Sequence, residues 1–209
     1  MSPKKIEPTP VYLEPIETTL TDGTPVLCRP IRPTDKELLR RGFERLSDES
    51  RLRRFLTPIH TLSDELVRYL TEVDQVNHIA WVAVRGDQPN EGLGVARSIR
   101  VPGEPAVAEA AITVIDDYQN RGLGMLLLSV LGVSARSAGV TAFRALVMQD
   151  NTPMLDLLRQ LGAVPVHDSP GVVRMDVPLD PARLPDSPAG RVLKAVATNL
   201  IPVKVRPMS

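Results

Sequence analysis

The segment Gln119-Asn120-Arg121-Gly122-Leu123-Gly124 constrains this 209-residue chain more than any other. It follows a strand-like run, Ala106 to Ile115, and precedes a helix-like run, Met125 to Ala138. A strand that turns through glycines into a helix start aims the first helical N–H groups, which lack partners inside the helix, at whatever lies in front of them. Gly122 and Gly124 let the backbone come close to an anion and take turn conformations that a side chain hinders. A di- or polyphosphate is the anion expected in such a cradle.

Three kinds of glycine loop compete for this segment. A Walker A loop needs Lys and Ser or Thr directly after its last Gly, and Met125-Leu126 stand there instead. A dinucleotide fingerprint needs a third small residue three positions after the second Gly, where this chain has Leu127. The pair Gly92-Leu93-Gly94-Val95 lies inside a strand-like run and opens no helix. The pattern that remains is (Gln/Arg)-x-x-Gly-x-(Gly/Ala), matched at every fixed position by Gln119 to Gly124. The competing reading is a plain β–α turn with glycines for packing.

Composition excludes several function classes. Acidic and basic residues balance at 25 each, so no global field recruits nucleic acid or a membrane. Aromatics make up only 3%, which argues against base-stacking surfaces. The single cysteine, Cys28, excludes an internal disulfide and a cysteine-rich metal site and suits a reducing compartment. It falls in a strand-like run and reads as core. His60, His78 and His167 have no ligand spacing, so no metal is expected. There is no signal-peptide pattern, and the longest apolar run, Leu123 to Val133, is too short for a membrane span. A cytoplasmic location is the expectation, and a homo-oligomer is left open.

Along the chain, a Pro-rich arm over residues 1–16 reads as flexible or extended on the body. Asp22-Gly23 signals a hairpin between Glu17–Thr21 and Thr24–Ile31. Three helices follow. The first is capped by Thr34 or Asp35; the second starts at Ser47 with Leu52, Phe55 and Leu56 inward; the third runs from Leu62 to about Val73 with Ser63 as cap. Strands are expected over His78–Arg85, Gly92–Val101 and Ala106–Ile115. After the cradle and its helix, ended by Gly139, come a strand (Thr141–Met148), a short helix from Asn151 to Leu161, and a strand pair (Ala163–Val166, Gly171–Val177). This order predicts an α/β (α+β) fold with a mixed, open sheet and flanking helices. Residues 180–209 form a Pro-rich tail with an amphipathic helix over Arg191–Leu200, read as docking on the body.

The cradle resembles the acetyl-CoA pyrophosphate loop of the GNAT superfamily of N-acetyltransferases. The likeness extends over most of residues 18–178. Asp22-Gly23-Thr24, Arg29 to Asp35, Phe43 to Arg51 through Arg54-Phe55, Val73-Asp74 to Ala83, Gly94 to Arg97 and Ala108 to Ala111 resemble, in that order, blocks of bacterial Pat-type protein lysine acetyltransferases. The resemblance implies the GNAT fold over residues 17–179, with a mostly antiparallel sheet that splays after the strand ending near Ile115 and takes the pantetheine arm of acetyl-CoA. It assigns cofactor binding to the backbone of Ile112, Thr113 and Val114, to the loop Gln119, Asn120, Arg121, Gly122, Leu123, Gly124 and Met125, and to Asn151. It assigns the general base to Glu109. It also implies an attached regulatory domain, for which this length leaves no room.

Alternation along the strand supports Glu109 independently, because Glu109, Ala111, Thr113 and Ile115 share a side. A charge among alanines and branched aliphatics is costly unless it is paired or its pKa rises, and a raised pKa suits a base near neutral pH. A lysine acceptor, with a reference pKa of about 10.4, must lose a proton before it attacks. Backbone N–H groups near Ile112 are placed to polarise the thioester oxygen. The tyrosine that many family members use as acid is replaced by Leu158, and Ala163 replaces the usual aromatic after Gly162. Thiols titrate near about 8.5, so departure as thiolate needs no dedicated acid. Tyr118 reads as packing under the loop, and Arg97 as a substrate-binding candidate. Three functions follow: acetylation of a protein lysine, acetylation of a small amine, or non-catalytic sensing of acyl-CoA.

Overall fold

The computed structural model describes residues 12–197 and 205–206. The expected arm therefore lies outside the described residues over 1–11, and the expected tail helix does so beyond 197. An eight-stranded sheet carries the fold, in the order β2 (Ile16–Thr19), β3 (Pro25–Pro30), β4 (His78–Arg85), β5 (Gln88–Val101), β6 (Glu104–Val114), β7 (Ala142–Met148), β9 (Val172–Pro178), β8 (Val164–Ser169). Every neighbouring pair is antiparallel except β6 and β7, which run parallel. A separate short pair joins β1 (Tyr12–Leu13) to β10 (Val205–Arg206). The end of the predicted arm is thus a strand.

Helices α1 (Lys36–Glu44), α2 (Asp48–Phe55) and α3 (Asp64–Thr71) precede β4 and cover one face of the sheet. Helix α4 (Leu123–Ser137) covers the other, and α5 (Thr152–Gln160) follows β7. Ser47 and Ser63 cap α2 and α3 as expected, accepting the Ser50 and Leu66 N–H groups at 3.2 and 3.1 Å. Asp35 stands at the N-cap position of α1, one of the two expected, but its side chain makes no capping bond to that helix. The chain first makes a 3-10 turn, Pro33–Asp35, and the Asp35 carboxylate takes both Arg29 guanidinium nitrogens (2.7 and 2.8 Å) and the Arg32 N–H (2.7 Å). A largely buried arginine outcompetes the helix end for that carboxylate.

Alternation divides the strands between two layers. Ala80, Val82 and Val84 face α1, packed with Ile31 and Leu38. Trp81 and Ala96 face α4, packed with Leu127 and Leu131. Trp81 is 1% exposed, and its indole N–H donates to the Ser134 hydroxyl at 2.9 Å, tying sheet to helix. Cys28 is buried in this core, where burial pushes its thiol up to about 12, outside the reactive range.

Helix α4 is buried around most of its circumference. Its outer side takes α6 (Pro188–Ala197), which starts three residues before the expected helix; Leu184, Ala189 and Leu193 from this segment join the main core. Helix α2 departs from expectation by burying no residue fully. Phe55 packs edge-on to Phe43 at 6.0 Å, and Leu56 closes the helix in the left-handed region at φ 56°. The reason is position: α2 lies over β6 at the border of a cleft instead of deep in a layer.

Candidate active site

Strands β6 and β7 are in register only from Val107–Ala142 to Glu109–Arg144. Beyond that they diverge and open a cleft of about 360 Å³. Residues 110–114 line one wall and Ala145, Leu146 and Val147 the other, with Asn151 and Met154 of α5 at the far end. Strand β6 stays paired with β5 along its length. The Ile115 N–H donates to Leu93 O at 3.0 Å. Counting back by the antiparallel alternation turns the backbone groups of 113 and 111 toward β5 and those of 110, 112 and 114 into the cleft. Ile112 and Val114 therefore offer backbone to a guest, whereas Thr113 contributes its side of the wall.

The loop at the cleft mouth is built by backbone conformation. A 3-10 turn, Asp116–Tyr118, leads to Asn120 at φ 59° and Gly122 at φ 86°, and α4 begins at Leu123. The first helical bond is Leu126 N–H to Gly122 O at 3.1 Å. The N–H groups of Leu123, Gly124 and Met125 precede it and have no helical acceptor. Gln119, Asn120 and Gly124 line the cleft. The Leu123 side chain goes into the core and Met125 packs against it, so both serve the mouth through backbone only.

Side chains hold this loop in place. The Gln119 amide donates to Val114 O (3.2 Å), to Asp116 (3.1 Å) and to the Ser50 hydroxyl (3.3 Å). Asp116 in turn accepts the Ser47 N–H at 3.0 Å and the Ser50 hydroxyl at 2.6 Å, which bolts the start of α2 to the loop. These bonds hold its carboxyl below the usual carboxylate range against the opposing effect of burial. Arg121 turns out of the cleft to pair with Asp22 and stacks over Tyr118, 4.8 Å from the ring centroid. Tyr118 is buried beneath the loop, as a packing residue should be. Asn151 caps α5, accepting the Met154 N–H at 3.3 Å.

Glu109 sits where the two strands part company, opposite Ile99 on β5 and Arg144 on β7. Its side chain is exposed and is not enclosed by its alanine-rich neighbours as the sequence suggests. Among the described residues it accepts no hydrogen bond, which leaves both oxygens available. The same face carries His78, Arg97 and Thr113, by the register of β4, β5 and β6. Arg97 is 4% exposed and donates from both terminal nitrogens to Leu70 O at 3.2 Å. It also lies 3.0 Å from His78 Nε2. A guanidinium only donates, so that nitrogen accepts and the ring is neutral. Burial, then the charge of Arg97, holds His78 down at about 4.

Position 158, where a tyrosine acid would stand, is a buried leucine beside the cleft. The sequence reading missed Arg53 and Arg54 of α2, which reach the same cleft. A signal for Arg54 existed. Arg51 pairs with Asp48 and Arg53 with Glu49 along the helix, whereas three and four residues before Arg54 stand Arg51 and Ser50. Among the described residues no cluster of His, Cys, Asp and Glu could hold a metal, and no helix is long and apolar enough to cross a membrane.

Comparison with known proteins now decides the family. Residues 39–163 match the Acetyltransferase (GNAT) family. This chain belongs to that family. The curated relatives that it matches are named acetyltransferases. It is 36% identical to acetyltransferase Pat of Mycolicibacterium smegmatis over 81% of its own length, and spans 50% of that protein. It is 35% identical to an acetyltransferase of Pseudomonas aeruginosa, covering 72% of this chain and 81% of that one. The crystal structure of the GNAT domain of S. lividans PAT superposes with a TM-score of 0.72 at 31% identity, covering 78% of this chain and 96% of that domain.

Proposed function

We propose that this GNAT chain moves the acetyl group of acetyl-CoA onto the amine of a protein lysine, with Glu109 as general base. The observation that carries the reading is the fork between β6 and β7. Its mouth holds the unpaired N–H groups at the start of α4, and the exposed Glu109 stands at its apex.

The residues fit a coenzyme A thioester. The amides of Leu123, Gly124 and Met125, with Asn120 and Gly124 lining the mouth, suit a diphosphate. The cleft-facing backbone of Ile112 and Val114 suits an extended amide-bearing arm, and Asn151 borders its far side. Bound acetyl-CoA supplies an acyl group activated as a thioester. Glu109 takes a proton from the acceptor ammonium, directly or through one water, and frees the lone pair for attack. The Ile112 N–H points into the cleft where negative charge builds on the thioester oxygen. Leu158 offers no proton, so the sulfur leaves as thiolate when the C–S bond breaks, and the second proton of the attacking nitrogen passes to that thiolate or to water as the amide forms.

The lysine acceptor rests on the Pat-type resemblance of residues 18–178, and the cytoplasm is the matching location. A small amine is the second reading, favoured by a confined apolar cavity of about 60 Å³ on the Glu109 face. Free-thiol release from acetyl-CoA tests the chemistry: release should require an amine and fall at least about tenfold in Glu109→Gln. Equal rates in both proteins remove Glu109 as base, and cofactor binding without turnover on any amine leaves a sensing module. Mass spectrometry for acetyl-lysine after incubation with lysate separates the two acceptor classes.

A further inference from the structure

Two arginines on the acceptor face stand out by what they lack. Other sheet arginines take carboxylates, Arg29 holding Asp35 and Arg144 holding both Glu104 and Asp176, or are satisfied by several neutral acceptors, as Arg100 is by Asn77 Oδ1 and the Pro105 and Ala138 carbonyls. Arg97, almost wholly buried, donates only to neutral acceptors, the Leu70 carbonyl and His78 Nε2. Arg54 reaches over β6 from α2 and finds no hydrogen-bond acceptor among the described residues; it rests on the Phe55 ring, 4.9 Å from the centroid.

The two guanidinium groups belong to one cavity. Both line the apolar space bounded by Phe55, Leu70, Val95 and Thr113, and Arg54 also lines the cofactor cleft, so it stands at the junction. They repel each other: burial, then the charge of Arg54, pushes Arg97 down to about 9. Three nearby carboxylates do not fill the gap. Asp35 lines the same cavity but is taken by the Arg29 guanidinium and the Arg32 N–H. Asp74 is occupied by the Val76, Asn77 and His78 N–H groups at 2.8–2.9 Å. Glu109 attracts Arg54 from a distance but makes no ion pair with it, and proton transfer requires it free. Two like charges lining one apolar cavity, with no carboxylate bonded to either, are a costly arrangement unless an anion completes it.

We propose that Arg54 and Arg97 form a subsite for a carboxylate carried by the acceptor, so that the substrate class is an amine with a nearby carboxylate. This rests on the reading of the chain as an N-acetyltransferase and specifies its acceptor. Glu109 and Arg97 are diagonal neighbours on one sheet face, roughly 7–8 Å apart at that step of the ladder. An ammonium group at Glu109 and a carboxylate at the arginines thus fit one short molecule. Two sources share the chemistry: a free amino acid, or a lysine beside an acidic residue.

The test compares acceptors that differ only in that charge, using the whole protein and free-thiol release from acetyl-CoA. One arm sets ω-amino acids against their amides; the other sets a blocked Glu-Lys peptide against its Gln-Lys counterpart. The charged member should be favoured in kcat/KM by about tenfold or more in one arm, which names the source. Arg54→Gln should bring that ratio toward one, and Arg54→Lys should keep part of it. A ratio near one in both arms, with transfer clearly measured, overturns the subsite and leaves acetyl transfer standing. Calorimetric titration with hexanoate and with hexanamide needs no turnover. Hexanoate binding lost in Arg54→Gln supports the subsite even if no amine is acetylated, and equal binding of both compounds counts against it. A preference for succinyl-CoA over acetyl-CoA that depends on Arg54 assigns the guanidinium to the acyl group and overturns the proposal. The wild-type comparisons require no variant, so a substitution that misfolds leaves the test decisive.

Discussion

A Cβ on residue 94 would stand 2.8 Å from the carbonyl oxygen of Thr113 and 3.0 Å from Leu127 Cδ1. Gly94 is therefore the contact that lets β5 hold the back of β6 flat, while the front of β6 faces the cleft. The contact on one side is backbone, which cannot swing aside. Gly94→Ala should lose about 1–3 kcal/mol of stability. Because the displaced strand carries Ile112 and Val114, the KM for acetyl-CoA should rise as well. Denaturant melts and initial rates on the same preparation check both.

Trp81 and Ser134 test the junction of sheet and helix. The serine hydroxyl receives the indole N–H and itself donates to Val130 O at 2.8 Å, and both residues are buried. Ser134→Ala strands a buried indole donor and should cost about 1–3 kcal/mol. Ser134 lies outside the residues that line the cleft, so kcat should stay near wild type at a temperature where both proteins are folded.

Glu109→Gln keeps size and polarity and removes only the capacity to take a proton. Turnover should drop by at least about tenfold. Since Glu109 is exposed and makes no hydrogen bond, melting should barely change. Unchanged turnover with normal cofactor affinity would sink the base assignment.

His78 provides a pH test. Its ordinary value of 6.5 is lowered to about 4 in the folded protein, by burial first and the Arg97 charge second. Between these values the unfolded chain binds a proton there that the folded chain refuses. Stability should therefore fall as pH drops from about 6.5 to about 4. His78→Gln keeps an acceptor for Arg97 and cannot titrate, so its melts should lose part of that slope. Asp74 and Asp116, both lowered, also destabilise on acidification, which makes the wild-type-minus-variant difference the quantity to read.

Local chemistry made much of this molecule legible in its sequence. Ser47 and Ser63 announce helix starts through their own side chains, and the alternation of β4 to β6 follows from strand geometry alone. The loop at 119–125 carries its backbone turn in Asn120 and Gly122, the second of which its sequence announces. What escaped needed distant partners. Asp35 holds the N-cap position, but its carboxylate is drawn away from the helix because Arg29 arrives from β3. Alternation told which face Glu109 takes and was silent on whether a helix covers it. Gln119 looked like one loop residue among several, and only the approach of Ser50 makes it a latch. Arg54 became visible once α2 lay across β6.

An unpaired strand edge usually invites trouble, since its free amides template another chain and start aggregation. Residues 110–114 make such an edge in the middle of a sheet, but it faces β7 and the helix after it across a cleft of about 360 Å³ and so is not an outer edge of the sheet. The space suits a slender chain one molecule wide, and a foreign sheet finds no outer edge there to join. Guarding against clumping and choosing a thin, extended guest are, in this fold, tasks performed by one shape.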